Sequence, residues 1–361
     1  MAEAIALPEP APICLITAQQ LSETGEDPPQ RYISTSNIEV DAPLAIEIPI
    51  VDVSRLVSST DAELTALHSA LTKWGCFQAI NHGIESASLD EVRRLAQEFF
   101  HLPMLEKQRY TRQRNNIEGY SSCPSVASIQ QVEWSDRLYL QVAPENGRKL
   151  KFWPQNPKPF RKVLEDYSAK IRQVEEQILR SIAKTLSLTD EDYFLRKITI
   201  MSAQFNYYPP CSKSDRVIGL RPHTDGSGVT LLLQDRHVRG LQLLHDNQWL
   251  SVPTMPEALL VLVGDQLEIM SNGIFKSPMH RVVINLEAER NSVAMFCLPD
   301  VVEEIEPVDQ LVDEDRPKMY KRVTNYAGSF YNYYHQGKRA IDAVRISQWR
   351  IQTPKIVRAK I

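Results

Sequence analysis

This sequence predicts a fold that is mainly β with flanking helices, its core a sandwich or barrel of jelly-roll type. Two observations carry that prediction. From Ile198 to Leu298, short runs of strand-forming residues are punctuated by turn signals such as Pro209-Pro210, Asp246-Asn247, Gly264-Asp265 and Asn272-Gly273. Before Ile198, apolar residues recur at intervals of three and four, the period of a helix buried on one face. The hydrophobic fraction of 43% and charged fraction of 24% are those of an ordinary soluble globular protein. At 361 residues the chain can hold one large domain or two closely packed ones.

Residues 1–46 contain prolines, glutamates and serines with little periodicity, and read as an N-terminal arm that packs on the body or frays. An N-terminal α/β region follows over 47–195. Ile48–Asp52 suits a first strand. Thr60 to Glu63 has capping-box spacing, with Leu64, Leu67 and Leu71 behind it at helical intervals. The chain stops at Trp74-Gly75 and returns as a strand over Phe77–Gly83. A second capping box, Ser88 to Glu91, opens a helix bearing Val92, Leu95, Ala96 and Phe99, with Pro103 past its end. Residues 112–131 are polar and read as a long loop, a length that points to a lid or binding loop. Val132–Val142 alternates as a strand. A long helix is expected over about 160–186, with Val163, Tyr167, Ile171, Val174, Ile178 and Ile182 on one side.

The β core spans 196–300. Its expected strands are 199–208, 219–225, 228–234, 240–245, 248–252, 258–263, 266–271, 277–285 and 292–298. Residues 301–361 hold C-terminal helices, at about 307–313, 317–330 and 337–346, and a basic tail with Lys355, Arg358 and Lys360.

Charge and cysteines narrow the function. The net charge is −4, from 41 basic and 45 acidic residues, and no basic stripe stands out, so nucleic acid is not an expected partner. Five cysteines, widely spaced and without a C-x-x-C pair, suit reduced thiols in the cytoplasm. No apolar run reaches the ~18 residues of a membrane span. A small-molecule partner and a monomer are the expectations.

The chemistry centres on Arg221-Pro222-His223-Thr224-Asp225. A histidine and a carboxylate two residues apart on a strand share a face. Alone the pair is weak evidence, since chance supplies roughly 0.4 such motifs in this composition. His280, 55 residues beyond Asp225, offers a third ligand. Two histidines and one carboxylate on one face of an octahedral metal are the signature of non-haem Fe(II) oxygenases. Ten residues past His280, Arg290 and Ser292 form another i, i+2 pair, a guanidinium fork and a hydroxyl suited to a carboxylate.

In that order, Asn206-Tyr207-Tyr208-Pro209-Pro210-Cys211, His223-Thr224-Asp225, His280-Arg281-Val282-Val283 and Arg290-Asn291-Ser292 resemble the plant 2-oxoglutarate- and Fe(II)-dependent dioxygenases. Ile48–Asp52, Trp74–Phe77 and Asn81–Ile84 resemble the N-terminal region of that family, so the likeness runs from about 48 to 346. It implies a distorted double-stranded β-helix (jelly-roll) core with a helical N-terminal region. It also implies His223, Asp225 and His280 as ligands of Fe(II), with Arg290, Ser292, Tyr208 and Asn206 holding 2-oxoglutarate. O2 would be the second co-substrate and ascorbate the reductant. The keto acid would leave as succinate and carbon dioxide while a small molecule is oxidised. His82, by the same resemblance, is structural. Ile284 departs from the pattern, since many members carry a small or hydroxylated residue there.

For the substrate, Phe296 and Leu298 are expected to line an apolar pocket with Arg137, Tyr139 and loop residues near Tyr120 and Val126. The bland alternatives are plain core for Phe296 and Leu298, and a solvated strand charge for Arg137, which is slightly preferred. An apolar wall disfavours a polyhydroxylated substrate. Residues Gly337–Ile346 resemble the branch containing senescence-related and alkaloid-demethylating members. The expected activity is therefore hydroxylation or oxidative demethylation of a small, largely apolar plant specialised metabolite. The competing readings are metabolism of a gibberellin-, jasmonate- or strigolactone-type hormone, ring-forming oxidation of the aminocyclopropane-carboxylate oxidase kind, and a non-catalytic β-helix binding protein.

Overall fold

The computed structural model describes residues 16–45, 48–57, 60–113, 116–122 and 132–346. Twelve strands are present among them: β1 Ile50–Asp52, β2 Cys76–Ile80, β3 Gly119–Ser121, β4 Asp136–Ala143, β5 Ile198–Tyr208, β6 Ile218–His223, β7 Val229–Leu233, β8 Leu241–His245, β9 Gln248–Ser251, β10 Leu259–Val263, β11 His280–Val283 and β12 Arg290–Pro299. They form an eight-stranded sheet, β1-β2-β10-β7-β12-β5-β4-β3, and a four-stranded sheet, β6-β11-β8-β9. From β5 onward the chain winds between the two. Strands β5, β7, β10 and β12 lie in the larger sheet, and β6, β8, β9 and β11 in the smaller. That winding is the double-stranded β-helix, a jelly roll with a cavity between its sheets.

Strands β7 and β10 are buried along their whole length, as central strands covered on both faces are. Strand β4 instead alternates strictly between buried and partly buried positions. Its buried residues Leu138, Leu140 and Val142 join the main core, while Arg137, Tyr139 and Gln141 face the cavity. One strand thus supplies both packing and site.

Among the described residues ten α-helices flank the sheets: α1 Ala18–Thr24, α2 Val53–Leu56, α3 Asp61–Lys73, α4 Ser86–Phe100, α5 Met104–Gln108, α6 Phe160–Thr185, α7 Tyr193–Lys197, α8 Asp265–Met270, α9 Tyr326–His335 and α10 Ala340–Val344. Helix α6 buries Leu164, Tyr167, Ile171, Val174, Ile178 and Ile182. Each large apolar side chain so buried is worth about 1.5–3 kcal/mol. The helix ends where Ser187 turns left-handed, at φ 54°, and Leu188 N–H donates back to the Ala183 carbonyl at 3.1 Å. Helix α4 packs on β5 and β12, the strands that carry much of the site.

Several sequence expectations need correction. Residues 266–271, expected as a strand, lie in helix α8 and the turn after it. All six residues of α8 are buried, so no polar face marks the helical period. The segment 317–325, expected as part of a helix, runs irregularly, with bridges Ile305↔Val323 and Tyr320↔Arg345, and α9 starts only after Asn325. Thr60 caps α3 without a side-chain bond, and Ser88 is the third residue of α4 rather than its cap. Its hydroxyl accepts from Lys170 Nζ at 2.9 Å instead. The arm contains α1, closed by a capping box between Thr17 and Gln20, and the expected 112–131 loop contains β3. The basic tail and Val126 lie outside the described residues.

Candidate active site

The pleat of the larger sheet assembles one wall of the cavity. In the β5–β12 ladder Tyr208 faces Arg290, Asn206 faces Ser292, Ser202 faces Phe296 and Ile200 faces Leu298. In the β4–β5 ladder Arg137 faces Asn206 and Tyr139 faces Gln204. These positions are two residues apart on every strand, so their side chains leave the same face. All of them line one cavity of about 330 Å³, together with His223, Asp225 and His280 from the opposite side.

The smaller sheet holds the other group. His223 closes β6 and His280 opens β11, directly across the ladder from each other, with ring centroids 4.1 Å apart. Asp225 is not on the strand as expected. It lies in the turn after β6, where its backbone carbonyl accepts from Asp265 N–H at 2.8 Å. That turn brings its Oδ1 to 3.6 Å from His223 Nε2 and 3.5 Å from His280 Nε2. Ligand atoms of the three residues all lie within 4.8 Å of one another.

Each imidazole is aimed by its own backbone. His223 Nδ1 lies 2.8 Å from the Arg221 carbonyl and His280 Nδ1 lies 3.1 Å from that of Pro278. A carbonyl accepts only, so Nδ1 carries a hydrogen and Nε2 is the nitrogen that faces Asp225. Burial, with His223 alongside, pulls the His280 pKa down to about 4, so its ring is neutral at pH 7. Burial disfavours charge on Asp225, but His280 and His223 outweigh it and hold the carboxyl at about 2. Two imidazole nitrogens and one carboxylate oxygen suit Fe(II).

Arg290 sits at the end of the same cavity, 2% exposed, and its Nε and Nη1 have no partner. Burial lowers its pKa, and the opposing pull of Tyr208 and Asp235 does not restore it. Among the described residues no carboxylate is hydrogen-bonded to this guanidinium, and a ligand carboxylate would fill that place. Its side chain passes over Gly240, where an added Cβ would stand 2.9 Å from Arg290 Cδ, so only glycine leaves the space. Beside it Asn206 Nδ2 donates to Ser292 Oγ at 3.4 Å, and Gln204 Nε2 donates to Asn206 Oδ1 at 2.7 Å. Arg290 at one side and His223, Asp225 and His280 at another line the same cavity.

Arg137 is no solvated charge. Its Nη2 pairs with Glu133, and its side chain is only 27% exposed. Phe296 and Leu298 are partly buried wall residues, Phe296 lying near the Tyr139 ring at 6.4 Å. His82 lies elsewhere, with Nε2 3.0 Å from the Glu257 carbonyl and Nδ1 accepting from Ile84 N–H. Among the described residues no second group of three such ligands occurs.

Sequence reasoning missed Glu133, Arg221, Tyr331, Tyr334 and Phe330. Glu133 is buried and accepts from Arg221 N–H at 3.1 Å, from Arg221 Nε at 2.9 Å, from Arg137 Nη2 and from the Tyr334 hydroxyl. Burial works against its charge, but Arg137 and Arg221 prevail and hold it at about 2. The Phe330 ring of α9 covers Gly226, next to Asp225, where an added Cβ would meet the ring at 2.6 Å. No local spacing signals these contacts, because α9 lies about 100 residues after the strand it covers; only the Glu133–Arg137 i, i+4 pair was visible.

The sequence pattern of the 2OG-Fe(II) oxygenase superfamily matches residues 200–299. That of the N-terminal region of non-haem dioxygenases in morphine synthesis matches 48–156. The chain is 38% identical to protein SRG1 of Arabidopsis thaliana over 331 residues, 88% of this chain and 92% of that one. It is 36% identical to codeine O-demethylase of Papaver somniferum over 307 residues, 81% of this chain and 85% of that one. The solved structure of JOX2 in complex with 2OG, Fe and JA superposes with a TM-score of 0.82 at 30% identity, covering 93% of this chain and 99% of that one. Likeness of this extent makes the chain a member of the 2OG-Fe(II) oxygenase superfamily, a dioxygenase that uses Fe(II) and 2-oxoglutarate.

Proposed function

We propose that His223, Asp225 and His280 hold the Fe(II), that Arg290 and Ser292, with Tyr208 and Asn206, hold 2-oxoglutarate, and that the substrate is a small, largely apolar plant specialised metabolite. The observation that carries this reading is the buried Arg290 guanidinium, its Nε and Nη1 without hydrogen-bond partners, in the same cavity as the three ligands. Iron with 2-oxoglutarate and O2 supplies the oxidising chemistry, releasing succinate and carbon dioxide. Everything else falls to the chain. Arg290 neutralises and orients the keto acid's far carboxylate, with Ser292 Oγ beside it. Tyr208, whose pKa burial raises, keeps its hydroxyl protonated as a donor. The Arg221 and Pro278 carbonyls keep both imidazoles turned inward. Phe296, Leu298, Ile200 and Phe330 line the cavity and keep water from the reacting centre.

Hydroxylation or oxidative demethylation is the reaction that the O-demethylating relative supports. Ascorbate would serve as reductant. A monomer in the cytoplasm completes the reading; the buried thiols Cys76, Cys211 and Cys297 are all free. The test is succinate formation from 2-oxoglutarate in air with Fe(II) and ascorbate, with and without plant metabolite extracts, read by mass spectrometry of the extract. The expected result is extract-stimulated succinate and one or more metabolites displaced in mass. No succinate under any condition, with iron content unchanged in His223→Ala, would sink the proposal.

A further inference from the structure

The three residues of the iron face are not held alike. His223 and His280 sit on strands, opposite each other across the β6–β11 ladder. Asp225 lies on irregular backbone between β6 and β7, outside any ladder. Four successive carbonyls of that turn are taken instead by residues 264–266, at the start of α8. Asp265 N–H donates to Asp225 at 2.8 Å and Gln266 Nε2 to Gly226 at 2.8 Å. Gln266 N–H donates to Ser227 at 3.0 Å and Gly264 N–H to Gly228 at 2.8 Å. The contact is close: a Cβ added to Gly264 would stand 2.0 Å from the Ser227 carbonyl oxygen.

Asp265 is tied in turn to α9. Tyr326, Phe330 and Tyr334 stand four residues apart, so they share one face of that helix. The Tyr326 hydroxyl donates to Asp265 Oδ2 at 2.7 Å, and both residues are buried. One turn on, the Phe330 ring covers Gly226, and after another the Tyr334 ring meets the His223 ring edge-on at 5.5 Å. A single helical stripe thus touches the holder of the turn, the turn itself and a histidine. Of these three contacts only that of Tyr326 is a hydrogen bond, so it fixes direction as well as distance.

We propose that Tyr326 is a positioning residue for the iron site: through Asp265 it steadies the turn that presents Asp225. The inference rests on the proposed function for the identity of the three ligands. Tyr326 itself lies outside the cavity lining, so it acts through Asp265 and not on a bound molecule. A group behind a metal ligand works by fixing that ligand's orientation, and losing it costs roughly 10–100-fold in metal affinity. Removing the Tyr326 hydroxyl leaves the ring and its packing in place but frees the Asp265 side chain. The histidines keep their ladder, the carboxylate loses its brace, and bound metal leaves sooner.

The experiment follows iron leaving the holoenzyme, loaded with Fe(II) and 2-oxoglutarate under argon, into excess ferrozine, read by absorbance. Tyr326→Phe is expected to release iron about tenfold faster than wild type. Tyr207→Phe is the control. Its hydroxyl donates to Glu289 at 2.9 Å, and the residue is buried in the core and lines no part of the cavity. Each variant loses one hydroxyl that bonds a carboxylate, so both should lower the urea midpoint by a similar amount. Tyr207→Phe should nevertheless release iron within about twofold of wild type, as a loss of stability alone does not loosen Asp225. Unchanged release in Tyr326→Phe, or equal acceleration in Tyr207→Phe, overturns the inference. Wild-type protein that takes up no iron, or keeps it in His223→Ala, sinks the proposed function and this inference with it. Normal loading with unchanged release sinks the inference alone.

Discussion

Two arginine sites share this cavity, and they are built in opposite ways. Arg290 is buried, with Nε and Nη1 partnerless and no carboxylate hydrogen-bonded to it. Arg137 and Arg221 carry their own counter-ion, Glu133, buried between them and tied to α9 through Tyr334. A buried charge without a partner costs folding free energy, so a site that keeps one is poised for a ligand that brings the opposite charge. A buried charge with its partner in place belongs to the frame. In the proposed function Arg290 is therefore the ligand position, and Glu133 the residue that holds the wall in place.

Breaking the proposed iron site should have the largest effect. Asp225→Ala or His280→Ala should lose bound iron and lower succinate formation on the order of a thousandfold, read by metal analysis and mass spectrometry. Full iron content in either variant would discard these ligands. Next, Arg290→Gln should raise the KM for 2-oxoglutarate about a hundredfold while iron content and urea midpoint stay near wild type. A large drop in the midpoint would mean that Arg290 is structural, and the contrast would collapse.

Glu133→Ala is the converse. It strands two guanidiniums and a hydroxyl, and should cost about 3–5 kcal/mol in urea denaturation. An unchanged midpoint would show that the Glu133 hub bears no structural weight. The same residue predicts a pH effect. Its pKa is held at about 2 in the fold, below the ordinary glutamate value of 4.5, so the unfolded chain binds the extra proton between those values. Its stabilising contribution is thus complete above about pH 4.5 and is lost as pH falls toward 2. The difference in midpoint between wild type and Glu133→Gln should narrow across that window; a constant difference contradicts the assignment. The smallest effect belongs to the apolar wall. Phe296→Ala should raise the KM for the organic substrate about tenfold and leave that for 2-oxoglutarate unchanged.

Much of the fold was legible in the chain because its signals are local. Turn pairs such as Asn272-Gly273 and the spacing of Tyr167, Ile171, Val174 and Ile178 act within a few residues. Where burial is complete the pattern vanishes. Helix α8, with six buried residues, reads as a strand because neither face meets water. The candidate site was legible where two residues share a strand, as with Arg290 and Ser292. For His223 and Asp225 the spacing was right and the reason was not: the turn after β6, not the pleat, brings the carboxylate round.

By itself the sequence determined the residues able to make an iron and keto-acid site, the order in which they come and the alternation that gives each strand one face for the core and one for the cavity. These are properties of residue type and of a period of two. Only the tertiary structure decided that Tyr208 faces Arg290 and His223 faces His280, because register is settled by the packing of whole sheets. It also decided the charge of the cavity. Glu133, Arg137, Arg221 and Arg290 are scattered over more than 150 positions, and Coulomb interactions depend on distance in space, whatever the separation along the chain.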